Sequence, residues 1–312
     1  YGLPLGIAPM GMGNLACPDA DAHIARIAKG RQMPVCLSSA GSSSLRDMNS
    51  WSGGMAWFQL YFGQSVESSL LGADRARDAG YDTLILTVDV PEVSRRIRDQ
   101  KNDFNLPFKM TPNAFLDFAL HPRWSLSTLA NGIPKPRNFA DQHKGFDRKA
   151  SRAGANWAFL ETLRERWTGR LIVKGITSTK DAKRAQDLGV DAIYVSNHGG
   201  RQLDSAPPAI NLLPIIRRAV GSDFPLLFDS GIRNGEDVIK ALVLGADFVM
   251  LGRPVLFALA AAGRCGLDSL LQCFVEDIDL VMAQIGVSKI DEIGPQALFT
   301  DTAQTLHPKL IP

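Results

Sequence analysis

The feature that most constrains this chain is an alternation of composition. Short apolar runs of strand type recur along its length, separated by stretches of helical character. Eight such runs can be read: LPLGIAP (3–9), PVCLS (34–38), AWFQLY (56–61), TLILTVD (83–89), LIVKG (171–175), AIYVS (192–196), PLLFD (225–229) and FVMLG (248–252). Most are almost continuously hydrophobic, as strands covered on both faces must be. Between them lie amphipathic segments such as SVESSLLGADRARDAG, STKDAKRAQDLG and NGEDVIKALVLGA. Two of these open with a capping residue, and all three close near a glycine. Strand–helix repetition predicts a parallel sheet. Eight units in 312 residues predict a closed (β/α)8 barrel of one domain spanning residues 1–312, with 45% hydrophobic residues to fill its core.

One segment breaks the rhythm. Roughly eighty residues separate the fourth and fifth runs, and a connection of that length in a compact domain is usually functional. The predicted insertion covers residues 103–155. Its first half is rich in Phe, Leu and Trp, and its second half is polar and basic.

Charge and cysteine content exclude some classes. A formal net charge of +2, from 34 basic and 32 acidic residues with no basic stripe, argues against nucleic-acid binding. Cys17, Cys36, Cys265 and Cys273 show no CxxC pair and no Cys/His ligand spacing, so neither a disulfide framework nor a metal site is expected, and a reducing compartment is. No apolar run reaches the ~18 residues that span a bilayer.

In a barrel of this kind, chemistry sits at the C-terminal ends of the strands. Those ends read Ala8-Pro9-Met10-Gly11, then Ser38-Ser39, then Gln59 and Tyr61, then Thr87 and Asp89 with Arg95 and Arg96 just beyond. Lys174 follows, then Ser196 with His198 and Arg201, then Asp229, Ser230, Gly231 and Arg233, and finally Gly252-Arg253. Taken singly, each has a bland reading: a helix cap, a solvated lysine, a structural histidine. Together they form a polar ring that no barrel needs for packing. The last two strands offer glycine-rich turns, each with an arginine and each opening a helix, which suits a phosphate group. The other cluster offers His198 as a base, with Arg96 and Arg201 as a clamp for a carboxylate.

The blocks SNHGGRQLD, LTVD, WFQLY, VKGI, FDSGIRNGEDVIKALVLGA and LGRP resemble the FMN-dependent L-2-hydroxy acid dehydrogenase and oxidase family, over essentially the whole chain. HPRWSL (121–126) most resembles its mandelate dehydrogenase and membrane-associated lactate dehydrogenase branch. The resemblance implies FMN as cofactor and oxidation of an L-2-hydroxy acid to a 2-oxo acid. It assigns His198 as the base, Asp89 as its carboxylate partner, Arg96 and Arg201 as the carboxylate clamp, and Tyr61 as a substrate contact. It places Lys174 beside the flavin N1–C2=O edge, and Ala8, Pro9, Met10, Ser38, Gln59, Thr87 and Ser196 around the flavin. Asp229, Gly231, Arg233, Gly252 and Arg253 then cradle the ribityl chain and phosphate. Two routes stay open: His198 removes the C2 proton, or it removes the hydroxyl proton as hydride moves to the flavin.

The same resemblance implies a quinone or similar acceptor, contact with a membrane surface through residues 104–129, and a homo-oligomer, tetrameric by family pattern. Phe115, Leu116, Phe118 and Trp124 serve equally well as packing on the barrel. Lys109, Arg123, Lys135 and Arg137 suit anionic lipids. The expected location is cytoplasmic or peripheral on the cytoplasmic face of the inner membrane.

Two departures bear on these expectations. The family's N-terminal segment, with a second substrate-contacting tyrosine, has no counterpart here, so truncation or an inert flavin-binding barrel are the readings that follow. Gly11 stands where many oxidases of the family carry Ala, which leans toward a dehydrogenase. An oxygen-using, peroxide-producing oxidase is the alternative. Ala40, where glycolate oxidases carry Trp, leaves room for a larger substrate side chain. Relatives of isopentenyl diphosphate isomerase and IMP dehydrogenase fit less well. The first should lack the His198/Arg201 pair, and the second should show a catalytic cysteine loop.

Overall fold

The computed structural model of the chain describes residues 2–94, 96, 101–102, 110–139 and 151–297. Eight parallel strands close in sequence order into a barrel: β1 (Leu5–Met10), β2 (Val35–Ser38), β3 (Ala56–Leu60), β4 (Thr83–Thr87), β5 (Arg170–Ile176), β6 (Ala192–Val195), β7 (Leu226–Phe228) and β8 (Phe248–Leu251). Leu5, Gly6 and Ile7 pair with Val249, Met250 and Leu251 to close it. Every predicted strand lies on an observed one, with ends that differ by a few residues.

Alternation along each strand sorts the side chains into two cores. The outward set, including Leu84, Leu86, Val173, Ile193, Val195 and Phe228, packs beneath the helices. The inward set is small: Ala8, Cys36, Trp57, Ile85, Ile172, Ala192, Tyr194, Leu227 and Met250. Toward the C-terminal mouth the inward positions turn polar, and Ser38, Gln59, Thr87, Lys174 and Ser196 are nonetheless buried. The barrel therefore stores polar groups where a soluble core would place aliphatic ones.

The covering helices begin where the sequence supplies caps. Ser65 caps Val66–Asp78 through a reciprocal capping box, and Ser178 and Asn234 accept from the third turn-forming N–H of Thr179–Asp187 and Gly235–Val243. All three anticipated helices are thus capped by a side chain, one more than the sequence reading credited.

The last helix, Arg253–Gln284, is long and apolar enough by length and composition to cross a membrane, with mean hydropathy 1.4 over its most apolar stretch. It is nevertheless broken at Ala262 and Gly263, whose backbones leave helical geometry, and it buries Leu259, Leu267, Leu271, Phe274 and Ile278. Those residues pack in the outer core of the barrel.

The insertion after β4 carries two short helices, Pro112–Leu120 and Pro122–Asn131, meeting at His121. Trp124 Nε1 donates to the Leu15 carbonyl at 3.0 Å, and its ring lies 5.3 Å from Phe118. The buried Asn138 donates to the carbonyls of Ser38 and Ser43, stitching the insertion to the end of β2. The packing reading therefore holds for Phe118 and Trp124. Phe115 and Leu116 face solvent, at 63% and 60% exposure. Lys109 and Arg95, also named above, lie outside the described residues, as does the 103–109 start of the insertion.

Candidate active site

The centre of the mouth is a charged cluster. His198 Nδ1 lies 2.9 Å from Asp89 Oδ1. Lys174 Nζ donates to Ser196 Oγ at 2.7 Å and sits 3.3 Å from Asp229 Oδ2 and 3.9 Å from Asp89 Oδ2. Three strand ends, β4, β5 and β6, and the turn after β7 thus converge on one ammonium group.

A bulge makes this convergence fit. The β5–β6 register shifts between Lys174 and Ile176, around Gly175. Gly175 has φ +101°, and a Cβ there would lie 2.5 Å from Asp89 Cβ. Only glycine lets the strand bend aside for the carboxylate.

The loop SNHGGR is built with equal economy. His198, Gly199 and Gly200 all take left-handed backbone, with φ +56°, +68° and +72°. Ser196 Oγ accepts from the His198 N–H, and Ser230 Oγ accepts from the N–H groups of Asn197 and Gly199. The Asn197 side chain accepts from the Gly200 N–H. These bonds hold the histidine in a conformation that non-glycine residues seldom adopt. A Cβ on Gly199 would fall 2.8 Å from the Arg253 guanidinium, which donates to the Gly199 carbonyl at 2.8 Å. Close approach at this glycine therefore admits Arg253.

The electrostatics fix the protonation states. Burial alone would raise the Asp89 carboxyl, but the Lys174 charge and the His198 hydrogen bond hold it below the usual carboxylate range. Burial alone would lower Lys174, but Asp229 and Asp89 hold it above its ordinary value. At neutral pH the cluster therefore holds the Lys174 ammonium against an ionised Asp89. An ionised Asp89 only accepts, so the His198 Nδ1–H is the donor of this bond. Tyr61 is placed through Ser39, whose hydroxyl donates to the Gln59 carbonyl and accepts from the Tyr61 N–H. Burial first, then Asp89, pushes its phenol up to about 12, so it stays protonated.

The remaining anticipated residues are spread around this centre. Ser38 Oγ donates to Gln59 Oε1 at 2.6 Å. Ser94 Oγ donates to the Arg201 carbonyl at 2.7 Å, joining the loop that carries Arg96 to the loop that carries His198. Arg201 and Arg233 are exposed, and Arg96 is half-buried. The Arg233 N–H donates to Asp237 at the start of Gly235–Val243. Gly252 immediately precedes Arg253–Gln284, with open space where a Cβ would project, and so does Gly231.

Residues 1–300 match the FMN-dependent dehydrogenase family. The chain belongs to that family. It is 38% identical to (S)-mandelate dehydrogenase of Pseudomonas putida, over 98% of this chain and 80% of the relative. It is 35% identical to L-lactate dehydrogenase of Pseudomonas syringae pv. syringae, over 95% and 80%. A solved structure described as the monotopic membrane protein (S)-mandelate dehydrogenase superposes with a TM-score of 0.90 at 38% identity, covering 96% of this chain and 81% of that one. The chain is accordingly an FMN-dependent enzyme whose reaction class is oxidation of a 2-hydroxy acid to a 2-oxo acid.

The residues present fit FMN. Gln59 Nε2 and Thr87 Oγ1 are buried polar atoms without a hydrogen-bond partner among the described residues, both at the mouth and on the inward phase. A donor and a hydroxyl left unpaired there would cost stability, and the polar edge of a flavin ring has the groups to match them. The glycine turns after β7 and β8, with Arg233 and Arg253, suit its phosphate.

Sequence reasoning missed three neighbours. Tyr194 is fully buried and donates to Asp229 Oδ2 at 2.9 Å. Its inward phase, shared with Ala192 and Ser196, was the available signal. The Arg152 guanidinium lies 5.2 Å from the centre of the Tyr61 ring, and Asn138 clamps β2. These two come from the insertion, where no periodicity predicts placement.

Proposed function

We propose that the chain oxidises an L-2-hydroxy acid with a large, mandelate-like side chain and passes the electrons to a quinone or similar acceptor at a membrane surface. The observation that carries the reading is the His198–Asp89 pair, 2.9 Å apart beside a buried lysine.

Ala8, Pro9, Met10, Ser38, Gln59, Thr87, Lys174 and Ser196 would hold the flavin ring, and Asp229, Gly231, Arg233, Gly252 and Arg253 its ribityl chain and phosphate. Bound there, FMN supplies a two-electron acceptor. Arg96 and Arg201 grip the substrate carboxylate, and the Tyr61 hydroxyl donates to substrate. His198 Nε2 accepts the proton, from C2 or from the hydroxyl. Asp89 stabilises the imidazolium that results, and the fixed charge of Lys174 favours added electron density next to it. The small side chain of Ala40 supports the reading of a larger substrate group; the backbone there is close to Gly11, where an added Cβ would meet Ala40 Cβ at 3.1 Å.

The clamp has a direct test. Arg201→Met raises KM for the hydroxy acid about tenfold or more, the scale of one lost charge-assisted hydrogen bond, with FMN still bound. An unchanged KM contradicts the clamp.

Membrane contact is supported by the insertion's surface. Met110, Phe115, Leu116, Leu120, Leu126, Leu129 and Ile133 are all exposed on the two insertion helices and the residues that flank them, more apolar surface than so short a stretch of a soluble protein usually shows. Arg123, Lys135 and Arg137 neighbour it in sequence. Glutamate at Phe115, Leu120 and Leu129 together is expected to abolish co-sedimentation with anionic phospholipid vesicles while leaving flavin reduction intact. Undiminished pelleting removes this part of the reading.

A further inference from the structure

The barrel interior holds ionisable side chains that the proposed chemistry leaves unused, the phenol of Tyr194 and the thiol of Cys36. Tyr194 points inward from β6 and is fully buried. Its hydroxyl donates to Asp229 Oδ2 at 2.9 Å, the same oxygen that lies 3.3 Å from Lys174 Nζ. The face of its ring is also turned to that ammonium, with Nζ 4.8 Å from the ring centre. Asp229 Oδ1 accepts from Ser230.

Tyr194 thus touches Lys174 in two ways. The ring face attracts the cation directly. The hydroxyl draws charge from the carboxylate that competes for it. Burial first, then Asp229, pushes the phenol well above its ordinary value, so the hydroxyl is a permanent donor. Phenylalanine would fill the same space more simply in an apolar layer of Ile85, Ile172, Leu227 and Met250. Among the described residues the partner of that hydroxyl is Asp229, a counter-ion of the lysine.

We propose that Tyr194 is a positioning residue that sets the electrostatic strength of Lys174, and through it the reduction potential of bound FMN. The inference rests on the reading that places Lys174 beside the flavin. Damping Asp229 leaves more of the lysine's positive charge available to the cofactor. Without the hydroxyl, Asp229 carries a less compensated negative charge close to the ammonium, and reduced FMN is favoured less.

The test uses purified holoprotein. Tyr194→Phe is expected to keep FMN bound at wild-type stoichiometry and to lower its two-electron midpoint potential. The equilibrium between oxidised and reduced bound FMN shifts about tenfold, which is about 30 mV. Sulfite, a nucleophile whose addition to bound flavin is favoured by positive charge beside the ring, should bind about tenfold more weakly. A purely structural role would lower the melting temperature and leave both readouts unmoved, and that result overturns the proposal. If Tyr194→Phe does not fold, Tyr194→Met fills the cavity without a donor and must show the same shift. Should the wild-type protein fail to bind FMN or to be reduced by any hydroxy acid, the functional reading fails. A wild type that is reduced normally, with a variant whose potential is unchanged, sinks the Tyr194 inference alone.

Discussion

Replacing His198 with glutamine is expected to leave a folded, yellow protein whose flavin is reduced by hydroxy acid about 10³–10⁴ times more slowly, near the upper range of general-base catalysis. Glutamine keeps a polar side chain facing Asp89 but offers no basic nitrogen in place of Nε2. The loop should survive, because it is held by groups other than the imidazole: Ser230 on the N–H groups of Asn197 and Gly199, and Asn197 on Gly200. Anaerobic stopped-flow absorbance at the flavin band gives the rate, and the bound FMN spectrum gives the control. Rapid reduction in the variant removes His198 as the base.

Lys174→Met carries the second large effect. It removes the buried cation that lies 3.3 Å from Asp229 and 3.9 Å from Asp89. Breaking a buried ion pair on one side costs about 3–5 kcal/mol, and thermal or denaturant unfolding at neutral pH should show a loss of that order. The pH dependence should change sign as well. In the wild type the Asp89 carboxyl is depressed, so its contribution is complete above the unfolded value of about 3.9 and is lost as pH falls through the lower folded value. Without Lys174, the largest opposing charge is gone, and burial raises the Asp89 carboxyl relative to the wild type. The variant should then gain stability between pH 7 and pH 5, because protonation relieves the uncompensated charge. Parallel stability profiles for the two proteins would contradict this electrostatic account.

The barrel was legible because its signal is repeated. Eight apolar runs of the right length cannot all be accidents, and parallel strands covered on both faces leave little else for them to be. The cluster at the mouth was legible for a related reason. Period-two alternation puts Thr87 with Asp89, Gln59 with Tyr61, and Tyr194 with Ser196 on the inward face, so polarity at the strand ends reads directly as a ring. The bulge at Gly175, which moves the strand aside for Asp89, carries no periodic signal. Its cause is a single close contact between two elements far apart in sequence. The insertion was legible only as composition. Trp124 and Phe118 turn to the barrel while Phe115 and Leu116 turn away, and that choice depends on the Leu15 carbonyl, which no local pattern announces. At Gly199 the close approach is that of Arg253, a contact between the loops after β6 and β8 that no local pattern announces.

The most direct measurement is anaerobic mixing of the purified flavoprotein with (S)-mandelate, L-lactate, glycolate and 2-hydroxyoctanoate while the flavin absorbance is followed. The account predicts rapid bleaching, fastest with (S)-mandelate, and slow recovery of colour when air is admitted. Quick reoxidation with peroxide would make the protein an oxidase of the same reaction class. An FMN-loaded protein that none of these acids bleaches would contradict the central claim.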